Sequence, residues 1–228
     1  MTTTSTPTRR LQPSDPGYRG QADYTPGFLA LYDKLVLGVF NRLVWRCPTA
    51  EILGLYQEHV GGDHLDAGPG TGWYLDNCTF AEPPQTITLV DANPDVLEFA
   101  ARRLARFEPR VHQANLLRPI LLEPKSFDSI ALTHVLHCLP GTITRKGAVL
   151  GNLSLLLRPG GCIFGSTILN GDVPHTPASR ALLRFLNERG VFGNCDDDLP
   201  ALEHALGSRF AEHEIRVCGS VALFVARV

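Results

Sequence analysis

Charge of one sign is missing from this chain of 228 residues: 21 basic side chains face 23 acidic ones, the net charge is -2, and no long run of either sign occurs. Without a basic field to meet a phosphate backbone, nucleic acid is excluded as the main partner. A bilayer-spanning run is also absent. The most apolar stretch, Phe28 to Trp45, is eighteen residues long and carries Asp33, Lys34 and Arg42, too short and too charged for a membrane helix. The N-terminal residues lack the apolar core of a secretory signal, so an intracellular, cytoplasmic protein is expected. The six cysteines, at 47, 78, 138, 162, 195 and 218, show neither C-x-x-C spacing nor histidines at zinc-finger distances, and they read as reduced core residues. Repeats and low-complexity blocks are missing after residue 20.

What is present is enough apolar material, 44% of the chain, for one sizeable core. Residues 1–20, rich in Thr, Ser, Pro and Gly, are expected to be a disordered tail. Residues 21–47 read as an N-terminal helical lid, because from Phe28 to Trp45 the polar residues Lys34, Gly38, Asn41 and Arg42 recur at helical period on a mostly buried helix. Residues 48–228 form the main domain. There, His64 to Ala67, Thr86 to Val90, Val111 to Ala114, Ser129 to Thr133 and Cys162 to Thr167 read as short strands. Helical patterns separate most of them, as after Asn93 and Pro94, where Val96, Leu97, Ala100, Leu104 and Phe107 share a face. Strand, helix, strand implies a parallel sheet. At the end, Glu214 to Cys218 and Ser220 to Ala226, split only by Gly219, predict a hairpin. The fold class expected is therefore α/β: a doubly wound, seven-stranded, mainly parallel, Rossmann-like sheet finished by an antiparallel hairpin.

Asp66-Ala67-Gly68-Pro69-Gly70-Thr71-Gly72 follows the first strand, and glycines there let backbone approach a ligand closely. Nineteen residues beyond Gly72, at the carboxyl end of the second strand, Asp91 stands where a carboxylate accepts hydrogen bonds from a ribose diol. Together they point to an adenosine-type ligand. A dinucleotide loop would need glycine at 73, which is Trp73, and Asp66 would repel a pyrophosphate while suiting a ligand that carries an amine and a sulfonium.

At these residues the sequence resembles the class I S-adenosylmethionine-dependent methyltransferases of small molecules, from about Tyr32 to Val228. The first motif is similar to Asp66 to Gly72, the ribose-binding acid to Asp91, the fourth-strand motif to Phe127 to Thr133 with Val135 to Pro140 following, and the turn before the fifth strand to Leu156 to Gly161. The resemblance implies S-adenosyl-L-methionine as cofactor, held by Asp66, Ala67, Gly68, Pro69, Gly70, Asp91, Ala92, Asn115, Leu116, Thr133 and His134. Asn115 replaces the Asp that commonly meets the adenine amine, and its amide oxygen still accepts such a bond. Aromatic faces of Tyr32 and Trp45 in the lid add cation-π attraction for the sulfonium.

His134 and His137, just past the fourth strand, are the candidate general bases for a hydroxyl or carbon-acid acceptor, with Tyr24 as the lid candidate. A metal is not expected, since no carboxylate lies between Asp128 and Asp172. The Asn/Asp-Pro-Pro-aromatic tetrad of amide and exocyclic-amine methylation is replaced by Thr133-His134-Val135-Leu136, and no insertion suits a protein substrate. A small-molecule acceptor is expected, between the lid and Asn170 to Asp198, with homodimerisation left open. Asp196-Asp197-Asp198 reads as a solvated helix start. A non-methylating rearrangement using the same cofactor, and a non-catalytic cofactor-binding subunit, remain compatible with these motifs.

Overall fold

A computed structural model describes residues 33–228 of the chain. It opens with a π-helix at Asp33–Val44 and continues through α1 (Thr49–His59), β1 (Asp63–Ala67), α2 (Trp73–Asn77), β2 (Thr86–Asp91), α3 (Pro94–Arg103), β3 (Arg110–Gln113) and β4 (Phe127–Thr133). Then follow α4 (Ile143–Ser154), β5 (Leu157–Ile168), α5 (Pro177–Glu188), α6 (Leu199–Gly207), β6 (Glu212–Cys218) and β7 (Val221–Arg227). Asp91, Asn93 and Pro94 illustrate how local chemistry sets a boundary: the strand ends, the Asn93 side chain accepts from the Asp95 N–H, and Pro94 opens α3 where its missing N–H costs nothing.

The seven strands lie in the order β3-β2-β1-β4-β5-β7-β6. β1 to β5 run parallel, and β7 is antiparallel to both of its neighbours, β5 and β6. The chain winds outward from β1 in one direction through β2 and β3, then returns past β1 to β4. Ligands of open α/β sheets bind at the carboxyl ends of the strands flanking this reversal. Both sheet faces are covered, which explains why β1 and β4 are buried almost throughout instead of alternating. One core places Leu65, Ile130, Leu132, Val149, Leu153 and Leu202 under α4 and α6. The other places Ile52, Tyr56, Tyr74, Leu97 and Phe164 under α1, α2 and α3.

Three local expectations are corrected. The N-terminal helix, where described, is π-wound, and its wider turn breaks the predicted stripe: Asn41 is fully buried and bonds Thr49 Oγ1 at 3.2 Å, while Leu43 is 67% exposed. All six cysteines are free, but only Cys47 and Cys162 are buried, and Cys195 is exposed. In the acidic run Asp198 does cap α6, accepting from the Ala201 N–H at 2.8 Å, whereas Asp197 is buried against Lys146 instead of solvated. No helix of the described residues is long and apolar enough to cross a membrane.

Candidate active site

β1 delivers the chain to the loop at 68–72, where Gly68, Gly70 and Gly72 have φ of +75°, +55° and +75°. Gly68 and Gly70 are glycine for different reasons. A Cβ on Gly68 would stand 2.4 Å from Val135 Cγ2, in the turn after β4, whereas a Cβ on Gly70 would meet nothing within 4 Å. The space over Gly70 is open, as a ligand-facing loop requires. Gly68→Ala should therefore lower the melting temperature, while Gly70→Ala should cost only the roughly 1–2 kcal/mol of left-handed backbone strain and weaken ligand binding instead. Thermal melts beside titrations with S-adenosylhomocysteine check this; equal losses of stability in both variants would make the loop a turn only.

Asp66, at the end of β1, is buried and touches the Tyr56 hydroxyl of α1 at 3.4 Å through Oδ2, while Oδ1 has no hydrogen-bond partner among the described residues. Burial pushes its carboxyl up to about 7, the Asp91 charge adds to that, and the Tyr56 hydroxyl opposes it. Tyr56 stacks on Tyr74 at 5.1 Å and lies beside Thr133, so three elements converge on this carboxylate. Asp91 is half-buried at the end of β2, with one oxygen accepting from the Asn93 N–H at 2.8 Å. Burial raises it to about 6, opposed by the backbone N–H groups of Asn93 and Ala92. Ala92 and Leu116 are buried, and the Ala92 carbonyl accepts from the Gln113 amide. The Asn115 amide oxygen accepts from the Leu117 N–H at 3.0 Å, which fixes the side chain in the turn after β3.

His134 follows β4 with φ of +57°, a left-handed conformation for a residue with a side chain, and its N–H donates to the Ser166 carbonyl at 2.9 Å. The residue is half-buried, but both ring nitrogens are shielded from solvent and neither has a partner among the described residues. Burial holds it down to about 4, so it is neutral at pH 7. His137 differs. Its Nδ1 accepts from the Ile168 N–H at 3.1 Å, which leaves the ring proton on Nε2, and Thr167 Oγ1 lies 3.4 Å from the same nitrogen. The two rings meet edge to face at 5.5 Å. His137 is thus anchored, and His134 has its nitrogens available.

Trp45 is 2% exposed within the core on the α1 side, its ring 6.2 Å from Phe192, and packing accounts for its burial. Tyr24 and Tyr32 lie outside the described residues. Sequence reasoning missed Tyr56, which only tertiary packing brings to Asp66, and Ser166, whose buried hydroxyl has no partner among the described residues and sits across from Thr133 in the β4–β5 register. No group of three or more His, Cys, Asp or Glu side chains among the described residues is arranged to hold a metal ion.

The strand order is that of a methyltransferase fold, and comparison with known proteins agrees. Residues 65–163 match a methyltransferase-domain family model. The chain is 38% identical over 226 residues to demethylluteothin O-methyltransferase of Streptomyces thioluteus, covering 99% of this chain and 98% of that one. It is 35% identical over 215 residues to the physcion biosynthesis cluster O-methyltransferase of Aspergillus chevalieri, covering 92% and 96%. The N-methyltransferase NodS of Bradyrhizobium japonicum, solved with S-adenosyl-L-homocysteine, superposes with a TM-score of 0.54 at 17% identity over 77% of this chain and 81% of that one. The chain belongs to the class I S-adenosylmethionine-dependent methyltransferases. Within that family it is an enzyme of the small-molecule type, with relatives in secondary metabolism.

Proposed function

We propose that the protein methylates a hydroxyl group of a small metabolite, with S-adenosylmethionine bound over the glycine loop and His134 as general base. The single observation that carries the reading is His134 at the carboxyl end of β4, neutral and with both ring nitrogens unengaged among the described residues, next in the chain to Val135, which packs against Gly68 of the glycine loop. The relatives named as O-methyltransferases support a hydroxyl acceptor.

The residues present fit the cofactor. Among the described residues, Asp66 Oδ1 is a buried acceptor without a partner, matched to a protonated amine, and the bare face of Gly70 leaves room above the loop. Asp91 would accept from the ribose hydroxyls, Ala67, Gly68 and Pro69 would line the loop, Ala92, Asn115 and Leu116 would flank the adenine, and Thr133 would close the strand end. S-adenosylmethionine supplies the activated methyl group. The chain's own residues orient the acceptor, exclude water and take its hydroxyl proton at a nitrogen of His134.

The test is incubation with S-adenosylmethionine and hydroxyl-bearing probes, demethylluteothin among them, followed by mass analysis. A product heavier by one methylene together with S-adenosylhomocysteine is expected; a product of unchanged mass favours rearrangement, and no turnover with tight cofactor binding favours a binding subunit. Asp91→Ala should weaken S-adenosylhomocysteine binding by about 1.5–3 kcal/mol, roughly 10- to 150-fold, with the fold intact, because a charge-assisted pair of hydrogen bonds is lost. Unchanged affinity in calorimetry removes Asp91 from the ribose.

Asp66 adds a pH dependence whose sign is fixed by its raised value. Without ligand, the folded protein holds a proton on Asp66 that the unfolded chain has released above about pH 4, so this group's contribution to stability falls as pH rises from about 4 to 7. A cationic amine favours the ionised form, so affinity for S-adenosylhomocysteine should rise from pH 6 to 8, with release of about half a proton at pH 7. Calorimetry in two buffers of different ionisation enthalpy reads that proton directly, and identical heats would mean Asp66 does not meet the amine.

A further inference from the structure

The segment at 190–198 runs past the turn that carries His134 and His137, and it is fastened by an unusual share of buried polar groups. Its Gly193 peptide is held on both sides: the N–H donates to the His137 carbonyl at 2.8 Å, and the carbonyl accepts from Lys146 Nζ of α4 at 2.8 Å. A Cβ on Gly193 would stand 2.5 Å from the Leu139 carbonyl oxygen, so the two segments are in backbone contact. The same Lys146 ammonium reaches Asp197 Oδ2 at 2.5 Å, and both side chains are 0% exposed. Asn194 is fully buried as well. Its amide donates to the Ile168 carbonyl at 2.9 Å, and it exchanges hydrogen bonds with Asn187 of α5 at 2.8 and 3.1 Å. The Asp197 carbonyl takes the N–H groups of Asn170 and Gly171 at 2.9 and 3.1 Å.

Phe192, immediately before this clamped peptide, lies 4.5 Å from the His137 ring, and the His137 ring in turn neighbours His134 at 5.5 Å. A path of direct contacts therefore leads from Lys146 through Gly193, Phe192 and His137 to His134. An ion pair taken wholly out of water is a poor way to add stability, because an apolar pair of similar volume often does as well or better. What the pair does supply is a register: one ammonium meets the Gly193 carbonyl and Asp197 Oδ2 together, and a shifted segment would lose both.

We propose that the buried Lys146–Asp197 pair is a positioning device for the acceptor side of the site, fixing the 190–198 segment so that Phe192 holds the His137 ring, and through it the His134 ring, at the end of β4. Lys146 and Asp197 are positioning residues that act through these rings. The consequence for turnover rests on the reading of His134 as base; the geometric claim does not.

The test replaces the pair by apolar residues, Lys146→Met with Asp197→Leu, and uses histidine-labelled protein for NMR at several pH values. The double variant should melt close to the wild type and bind S-adenosylhomocysteine within about threefold of it. The upfield ring-current shift that Phe192 imposes on the carbon-bound protons of His137 should fall by more than half, a change that removal of a charge alone does not produce. His134 should titrate nearer the ordinary 6.5 instead of about 4 as its ring becomes hydrated. Retention of the ring-current shift and of the His134 titration would overturn the proposal and leave the pair a packing element. If the double variant does not fold, Lys146→Met with Asp197→Asn, which keeps the shape of the acidic side chain while removing the donor and both charges, carries the same measurement with the same two outcomes. Failure of the wild type to methylate any probe would count against the hydroxyl-methylation reading alone, since neither NMR signal depends on turnover.

Discussion

Lys146→Met by itself is expected to cost about 3–5 kcal/mol of stability, a fall of roughly 6–20 °C in melting temperature for a chain of this size. The variant strands the Asp197 carboxylate in a site that is 0% exposed and leaves the Gly193 carbonyl without its donor. Burial alone pushes Asp197 up, and in the wild type the Lys146 ammonium counteracts it. With the ammonium gone the carboxyl takes up a proton on folding, which caps the penalty. Relative to an ordinary value of 3.8, that proton costs about 4 kcal/mol at pH 7 and under about 2 kcal/mol at pH 5. The sign is definite: the folded variant binds the proton and the unfolded chain has released it above pH 4, so the defect must shrink as pH falls from 7 to 5. Melts of the variant and wild type across that range test both statements. A loss below about 1 kcal/mol, or a defect that grows toward pH 5, would mean that water reaches the pair.

His134→Ala should lower kcat by about 10² to 10⁴ while affinity for S-adenosylhomocysteine stays within a few fold, because general-base assistance is lost and the cofactor crevice keeps its carboxylates. Since burial holds the imidazole near 4, its deprotonated form dominates throughout the neutral range, and the wild-type kcat at saturating S-adenosylmethionine should be flat on the acid side until pH falls toward 5. His137→Ala should behave differently. It removes the acceptor of the Ile168 N–H and the ring between Phe192 and His134, so it should lower stability and turnover together. Turnover by His134→Ala equal to that of the wild type would remove the base from the mechanism and leave alignment and desolvation as the sources of rate.

These two effects lie at opposite ends of what can be read from residues in order. His134 is legible from its place: it follows a buried strand whose end, in a doubly wound sheet, faces the ligand. Asp66, the glycines and Asp91 are legible for the same reason, each fixed by a spacing along the chain. Lys146 is not. It sits in the middle of α4, among residues such as Val149 and Leu150, and a lysine there reads as a solvated interruption until the fold brings in an aspartate 51 residues later. Asp197 in turn hides in an acidic triplet whose third member does what such a run ordinarily does, capping a helix. Asn41 was misplaced because the stripe on which it was counted assumes an α-helical turn, and the π-winding moves it into the core.

The amino-acid order alone determined the alternation of strands and helices, the glycine loop at the end of β1 and the acid at the end of β2, since each follows from local period, turn chemistry or a short fixed distance. Only the tertiary structure decided which polar groups are buried and with whom: Tyr56 against Asp66, Lys146 against Asp197, Phe192 on His137, and the His134 nitrogens that meet no partner among the described residues. Burial is a property of partners remote in the chain, and the energy that makes a buried charge tolerable comes from those partners and not from the residue's neighbours in sequence.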